Sequence, residues 1–223
     1  MKILVEISHP AHVHYFKNLI ILLKQSNNSV VVVAKNKEVT FELLKAYKIK
    51  FYKMLSSKKY FLAKVIGLIL DDLLLFLYSL KFRPDLYLSF SSPYVGHIAF
   101  IMRKYHIVFD DTEHASLEHM MYKPFASEII TPTFFSKDLG KKHIKFNSVF
   151  ELCYLHPKYF KCDYSILDDL NLRKNERFII LRFISWDAIH DKGQKGMSYN
   201  EKIKAVKKLS NYAKVFISSE KNL

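Results

Sequence analysis

Residues 2–34, KILVEISHPAHVHYFKNLIILLKQSNNSVVVVA, decide the fold. Lys2–Ser8 reads as a strand. His12–Gln25 reads as a helix with Val13, Phe16, Ile20 and Leu23 on one face. Ser29–Ala34 is an unbroken run dominated by valine, as expected of a parallel strand covered on both faces. Strand, loop, helix and strand in this order make one unit of a doubly wound α/β domain.

Working outward, the alternation continues. Lys37–Tyr47 reads as a helix and Lys50–Met54 as a short strand. A long apolar helix follows over Tyr60–Phe82. Then come strand Asp85–Phe90, helix Pro93–Lys104, strand His106–Phe109, helix Glu113–Met121 and strand Glu128–Thr131. From Thr131 to about Lys161 the pattern breaks at Pro132, Gly140 and Pro157. A boundary there separates a Rossmann-like domain, residues 1–160, from a second unit, 161–223. That unit shows strand Phe178–Ile184, helix Tyr199–Asn211 and strand Lys214–Ser218. One crossover cannot cover both faces of a sheet. The second unit therefore reads as the start of an incomplete Rossmann-like domain, or as an extension of the first sheet.

Half of the 223 residues are hydrophobic and 15% are aromatic, enough for a real core. Only five glycines are present, too few for glycine-dense phosphate loops. The formal net charge of +14 favours an anionic partner or a lysine-rich solvated surface. The lysines are dispersed and no nucleic-acid motif accompanies them, so nucleic acid is not an expected partner. Cys153 and Cys162 form no C-x-x-C pair, and Met1 leads straight into a strand. Together these suggest a cytoplasmic protein.

Tyr60–Phe82 contains Lys64, Asp71 and Asp72, and each aspartate at a bilayer centre costs about 2.5–3.5 kcal/mol. A spanning helix is not expected. Leu62, Val65, Ile66, Ile69, Leu70, Leu73, Phe76, Leu77 and Leu80 keep three-four spacing and read as a core face. Leu68, Leu75 and Tyr78 lie off that stripe, which suggests a second face against a membrane or partner.

Ligands of open α/β sheets bind at the carboxyl ends of strands. Four polar clusters stand there. The first is Ser8-His9-Pro10-Ala11-His12-Val13-His14. An H-x-H pair on an extended segment puts both rings on one side, as a metal site requires. Alternatively the loop feeds a helix N-terminus that attracts phosphate, with a histidine as base. The second is Ser91-Ser92 before Pro93, with Ser92 an expected N-cap. The third is Asp110-Asp111-Thr112-Glu113-His114, a carboxylate cluster beside a histidine, with Asp111 or Thr112 an expected cap. The fourth is Ser185-Trp186-Asp187, with His190 and Asp191 close behind.

The ordered segments HPAHVHYFKNLI, KEVTFELL, RPDLYLSFSSPYVGHIA, VFDDTEHAS, FNSVFELCYLHPKYF, ILRFISWDAIHD and YAKVFISSEK span nearly the whole chain. In that order they resemble a family of predicted GT-B-type glycosyltransferases related to the nucleotide-sugar 2-epimerases. The resemblance implies two Rossmann-like domains facing a cleft, the acceptor side being the N-terminal one. It implies a nucleotide-sugar donor held mainly by the C-terminal domain, with no cofactor and no obligatory metal. It marks His9, His12, His14, Asp110, Asp111, Glu113, His114, Ser185, Trp186 and Asp187 as cleft candidates, and Glu151 as a residue near the hinge; Ser8, Ser91 and Ser92 join them as substrate-binding candidates on the strand-end rule alone. His12, His14, Asp110 and Glu113 are the candidate bases. The family continues beyond the position matching Leu223, so the chain reads as a fragment or as a copy without a donor site. Two rival readings remain: a metal-dependent hydrolase using His12, His14, Asp110 and His114, and a non-catalytic membrane-peripheral domain using Tyr60–Phe82.

Overall fold

The computed structural model describes residues 1–55, 61–183 and 196–219, with the side chains of 61–65 outside that description. Two compact units are present, Met1–Lys161 and Cys162–Leu223. The first unit holds β1 (Lys2–Ile7), α1 (Pro10–Gln25), β2 (Ser29–Ala34), α2 (Thr40–Ala46), β3 (Tyr52–Lys53) and α3 (Phe61–Phe82). It continues with β4 (Leu86–Phe90), α4 (Pro93–Ile101), β5 (Tyr105–Phe109), α5 (Ser116–Tyr122), β6 (Glu128–Pro132), β7 (His143–Phe146) and α6 (Leu152–Leu155). The second holds α7 (Ile166–Asp169), β8 (Phe178–Phe183), α8 (Tyr199–Ser210) and β9 (Lys214–Ser219), with β8 and β9 paired in parallel as a separate sheet. The second unit's strands therefore do not extend the first sheet.

The first unit is a seven-stranded, all-parallel, Rossmann-like sheet in the order β3-β2-β1-β4-β5-β6-β7. The chain winds outward from β1 to β3, returns through α3, and resumes at β4 on the other side of β1. The crevice between the ends of β1 and β4 is thus the topological switch point. Alternation along β1 sends Ile3, Val5 and Ile7 into the core with Val13, Phe16 and Ile20 of α1. Leu4 enters the opposite core with Leu75, Val95 and Ile98 of α3 and α4. Covering both faces explains why β1 is buried from Ile3 onward.

With glycine scarce, other residues take the left-handed backbone at helix ends. Asn27, Lys48, Arg103 and Asn171 have φ between 51° and 59°. Each is followed by an N–H that bonds back five residues: Asn28 to Leu23, Ile49 to Leu44, Lys104 to Ala99 and Leu172 to Leu167. These are Schellman stops built without glycine.

Helix α3 reverses the expected orientation. Ile66, Ile69, Leu70, Leu73, Leu77 and Leu80 of the main stripe are exposed and only Phe76 of its described side chains packs inward, whereas Leu75 is buried and Leu68 and Tyr78 pack against the same core; Leu62 and Val65 lie outside the described side chains. Asp71 and Ser79 are buried on that inner face. The reason is pairing: Asp71 Oδ2 meets Lys35 Nζ at 2.7 Å, and Oδ1 accepts the Leu55 N–H at 3.1 Å. Asp72 bonds the His97 ring at 3.1 Å. Polar partners just after β2 and on α4 draw the aspartates inward and turn the leucines out. Among the described residues no helix is long and apolar enough to cross a membrane.

Candidate active site at the switch point

The strand ends converge as the sheet topology requires. Helix α1 begins at Pro10, earlier than the sequence suggests, and His9 caps it by accepting the Ala11 N–H at 3.2 Å. His9 Nε2 also lies 3.9 Å from Glu38 Oε1. Because His12 and His14 are helical rather than extended, their rings diverge. His12 turns towards the β1–β4 crevice, stacked on Phe90 at 4.7 Å with Nδ1 3.4 Å from Ser8 Oγ. Burial, with the charges of His9 and Lys37, pushes its pKa down to about 3. His12 is therefore a neutral hydrogen-bonding group at pH 7 and a poor base. His14 faces α2 and α6, 3.3 Å from the Tyr47 hydroxyl and 5.2 Å from the Tyr154 ring centroid. This corrects the expectation that the two rings act together. Among the described residues no group of three or more His, Cys, Asp or Glu is placed to hold a metal ion.

The third cluster divides in function. Asp110 is fully buried. Oδ2 accepts the Tyr122 hydroxyl at 2.5 Å and lies 3.1 Å from His119 Nε2, and Oδ1 accepts the Thr112 N–H at 2.9 Å. Burial pushes its carboxyl up, but the bonds from His119, Tyr122 and Thr112 outweigh it and hold the pKa below the usual range. So committed a carboxylate anchors α5 to the end of β5 and is poorly placed to act as a base. Glu113 bonds the Ser136 N–H at 2.9 Å and the Ser136 hydroxyl, which lowers its pKa and ties down the loop after β6. His114 is exposed. Neither Asp111 nor Thr112 caps α5: the N-cap is Ala115, without a side-chain bond, because Asp110 and Asp111 spend oxygens on Thr112.

Asp111 is the carboxylate with chemical freedom. It is half-buried, and it accepts the Thr112 hydroxyl at 3.0 Å. Burial raises its pKa, and the charges of Asp110 and Glu151 add to that against the Thr112 bond. Burial raises the Tyr15 phenol, and the charges of Asp111 and Glu151 are felt there in the same direction. Glu151 is exposed at the start of α6. Phe90, Tyr15 and Phe150 form a wall, with centroids 5.0–5.5 Å apart, joining His12 to this acidic corner.

On the other side of the crevice the pocket of about 240 Å³ is lined by Ser8, Lys35, Lys37, Ser91, Ser92 and Tyr94. Ser91 carries φ 49°, a left-handed turn from β4 into α4. Ser92 stands at the N-cap of α4 without a side-chain capping bond, unlike the expected cap. Beneath the pocket, fully buried Glu6 accepts the Tyr94 hydroxyl. Burial raises Glu6 to about 7, tempered by that bond and by the Lys35 charge. Lys35 Nζ sits 4.1 Å over the Tyr94 ring. Sequence reading missed Glu6, Lys35, Lys37 and Tyr94. Glu6 had a signal, as the lone acid inside a buried strand, and Lys35 and Lys37 satisfy the strand-end rule as well as the serines do. Ser185, Trp186 and Asp187, with His190 and Asp191, lie outside the described residues.

The all-parallel sheet, its switch point and the polar groups gathered there define a Rossmann-like domain of the kind found in GT-B folds. The chain belongs to the family described as "Protein of unknown function (DUF354)", which matches residues 1–220. No curated protein sequence matches it. Among solved structures, UDP-GlcNAc 2-epimerase from Neisseria meningitidis bound to UDP-GlcNAc is similar at TM-score 0.70 and 14% identity, over 100% of this chain and 67% of its own. UDP-N-acetylglucosamine 2-epimerase from Rickettsia bellii is similar at 0.68 and 13%, over 99% and 62%. MurG from Acinetobacter baumannii is similar at 0.56 and 12%, over 98% and 68%. The chain spans between 62% and 68% of the length of these three structures. The likeness establishes the fold that nucleotide-sugar epimerases and glycosyltransferases share.

Proposed function

We propose that the chain is the acceptor-side part of a glycosyltransferase-like enzyme that uses a nucleotide-sugar donor. The observation that carries this reading is Asp111: a half-buried carboxylate with a raised pKa, just past the end of β5, close enough to Tyr15 of the aromatic wall for its charge to act on that phenol. Its basicity suits proton removal from a sugar hydroxyl. In the transfer step the acceptor O–H proton passes to Asp111 while the oxygen bonds to the anomeric carbon. The bond from that carbon to the donor phosphate breaks, and its electron pair leaves with the nucleoside diphosphate. Neutral His12 would orient a hydroxyl, and Phe90 and Tyr15 offer apolar faces to a sugar ring. Neighbouring structures described as bound to UDP-GlcNAc and to UDP support the donor class. Calorimetry with UDP and other nucleoside diphosphates tests it: saturable binding is expected, and no binding at millimolar concentration would remove the donor.

A second reading has its own observation. The outer face of α3 carries Ile66, Ile69, Leu70, Leu73, Leu77 and Leu80, and Phe100 and Ile101 are exposed on α4, which packs against α3. With a net charge of +14, this surface fits an anionic membrane lying flat beneath it. Such contact is compatible with transfer to a lipid-linked acceptor. Sedimentation with anionic liposomes, at low and high salt, is the test.

A further inference from the structure

We propose that the pocket at the ends of β1, β2 and β4 is a phosphate-binding subsite. Its volume of about 240 Å³ falls below the ~300–1,000 Å³ of pockets that enclose a whole small molecule, so it suits one group of a larger ligand. Two cations reach it, Lys35 and Lys37, from the end of β2. The nine-residue helix α4 starts at its wall with Pro93 in the first turn. The N–H groups of Tyr94 and Val95 in that turn lack intrahelical acceptors by geometry and place partial positive charge at the pocket.

The independent observation is a pair of orphaned hydroxyls. Ser92 is 2% exposed, and among the described residues neither its buried Oγ nor that of Ser91 has a hydrogen bond of good geometry, the Tyr94 hydroxyl near Ser92 being spent on Glu6. Buried polar atoms almost always have partners, and a phosphate oxygen would satisfy both. The nearby acids are already engaged: Asp71 holds Lys35, and Glu6 accepts the Tyr94 hydroxyl. Hydroxyls, lysines and helix N–H groups approach from different strand ends, which suits a tetrahedral oxyanion. A planar carboxylate is more often taken by the fork of an arginine, and no arginine is among the described residues lining this pocket.

The subsite itself stands without the nucleotide-sugar reading, which bears only on the molecule that carries the phosphate. Calorimetry on the whole protein with inorganic phosphate is the first measurement. Saturable binding is expected, weakened about tenfold in Lys37→Ala and further in Ser92→Ala, as for lost charge-assisted bonds. Lys37 is exposed, so its variant keeps the melting temperature of the parent. Absent phosphate binding, or binding indifferent to both substitutions, overturns the subsite. UDP and glucose 6-phosphate, a phosphosugar that is not a fragment of a nucleotide-sugar, then separate the sources. A loss confined to UDP assigns the phosphate to the donor, and a loss confined to glucose 6-phosphate assigns it to the acceptor. If phosphate binds and responds to the substitutions while no nucleotide binds, the subsite stands and the glycosyl-transfer reading fails.

Discussion

Lys35 Nζ and Asp71 Oδ2 lie 2.7 Å apart, joining the end of β2 to the inner face of α3 with both side chains largely withdrawn from solvent. This pair settles which face of an almost wholly apolar helix points inward. Asp71 also accepts the Leu55 N–H. Replacing it by alanine leaves a desolvated ammonium and a backbone donor without their partner. Asp71→Ala is expected to lower the unfolding free energy by about 3 kcal/mol, with Asp71→Asn costing less because it can still accept from Leu55. Urea denaturation measures both. A loss below about 1 kcal/mol would mean that the bridge does not hold the helix.

The same pair shows where sequence reading stops. Ser29–Ala34 is found within its predicted limits because a valine run fits only a covered strand. The strand His143–Phe146 went unseen, since its four residues offer little alternation and lie at the sheet's edge. The face of α3 was reversed because hydrophobic spacing alone ranks leucine above aspartate for burial. Lys35, 36 residues upstream of Asp71, overrides that ranking only once the sheet is assembled. At the candidate site, the strand-end rule points to Ser8, His12, Ser91 and Asp111. It had no means of telling Asp110 from Asp111, because the difference lies in Tyr122 and His119, supplied by a helix.

Asp110 and Asp111 should therefore separate experimentally. Asp110→Asn disturbs the bonds to Tyr122, His119 and Thr112 and is expected to destabilise folding by about 2 kcal/mol. Asp111→Asn should fold like the parent and retain UDP affinity while losing about 10²–10⁴-fold in transfer rate, the size of a general-base contribution. Thermal denaturation and a transfer assay on both variants decide it. Equal activity in Asp111→Asn and the parent would exclude Asp111 as the base.

Glu6 makes stability depend on pH in a defined sense. Its folded pKa is raised from 4.5 to about 7, so between those values the folded chain holds a proton that the unfolded chain releases. Its contribution is present below pH 4.5 and is lost as pH rises through 7. Glu6→Gln removes this dependence. The parent's stability relative to Glu6→Gln is expected to fall by about 3 kcal/mol between pH 4.5 and 8. A constant difference across that range, by urea denaturation in matched buffers, would show that Glu6 is ionised at neutral pH.

The helix stops offer a test of backbone economy. Lys48 and Arg103 hold φ of 55° and 53° at positions where the side chain adds strain. Each is exposed. Lys48→Gly and Arg103→Gly are each expected to raise the unfolding free energy by up to about 1 kcal/mol, because the relief of a left-handed Cβ exceeds the entropy glycine adds to the unfolded chain. Additive gains are expected in the double variant, since the two residues end different helices. A loss in either variant would show that the side chain supports its turn.

The outward leucines of α3 can be tested without disturbing the core. Leu73 and Leu77 are 55% and 53% exposed, one turn apart, on the face opposite Asp71 and Leu75. Exchanging both for serine removes little buried contact, so stability should stay within about 0.5–1 kcal/mol of the parent. If this face rests on a membrane, the same exchange removes two apolar anchors and should weaken sedimentation with anionic liposomes by about tenfold or more. Salt should weaken the parent's binding without abolishing it, because basic residues and apolar residues contribute together. Equal sedimentation of the serine variant and the parent would place any membrane contact elsewhere, and unchanged stability would still confirm that these leucines are not part of the core.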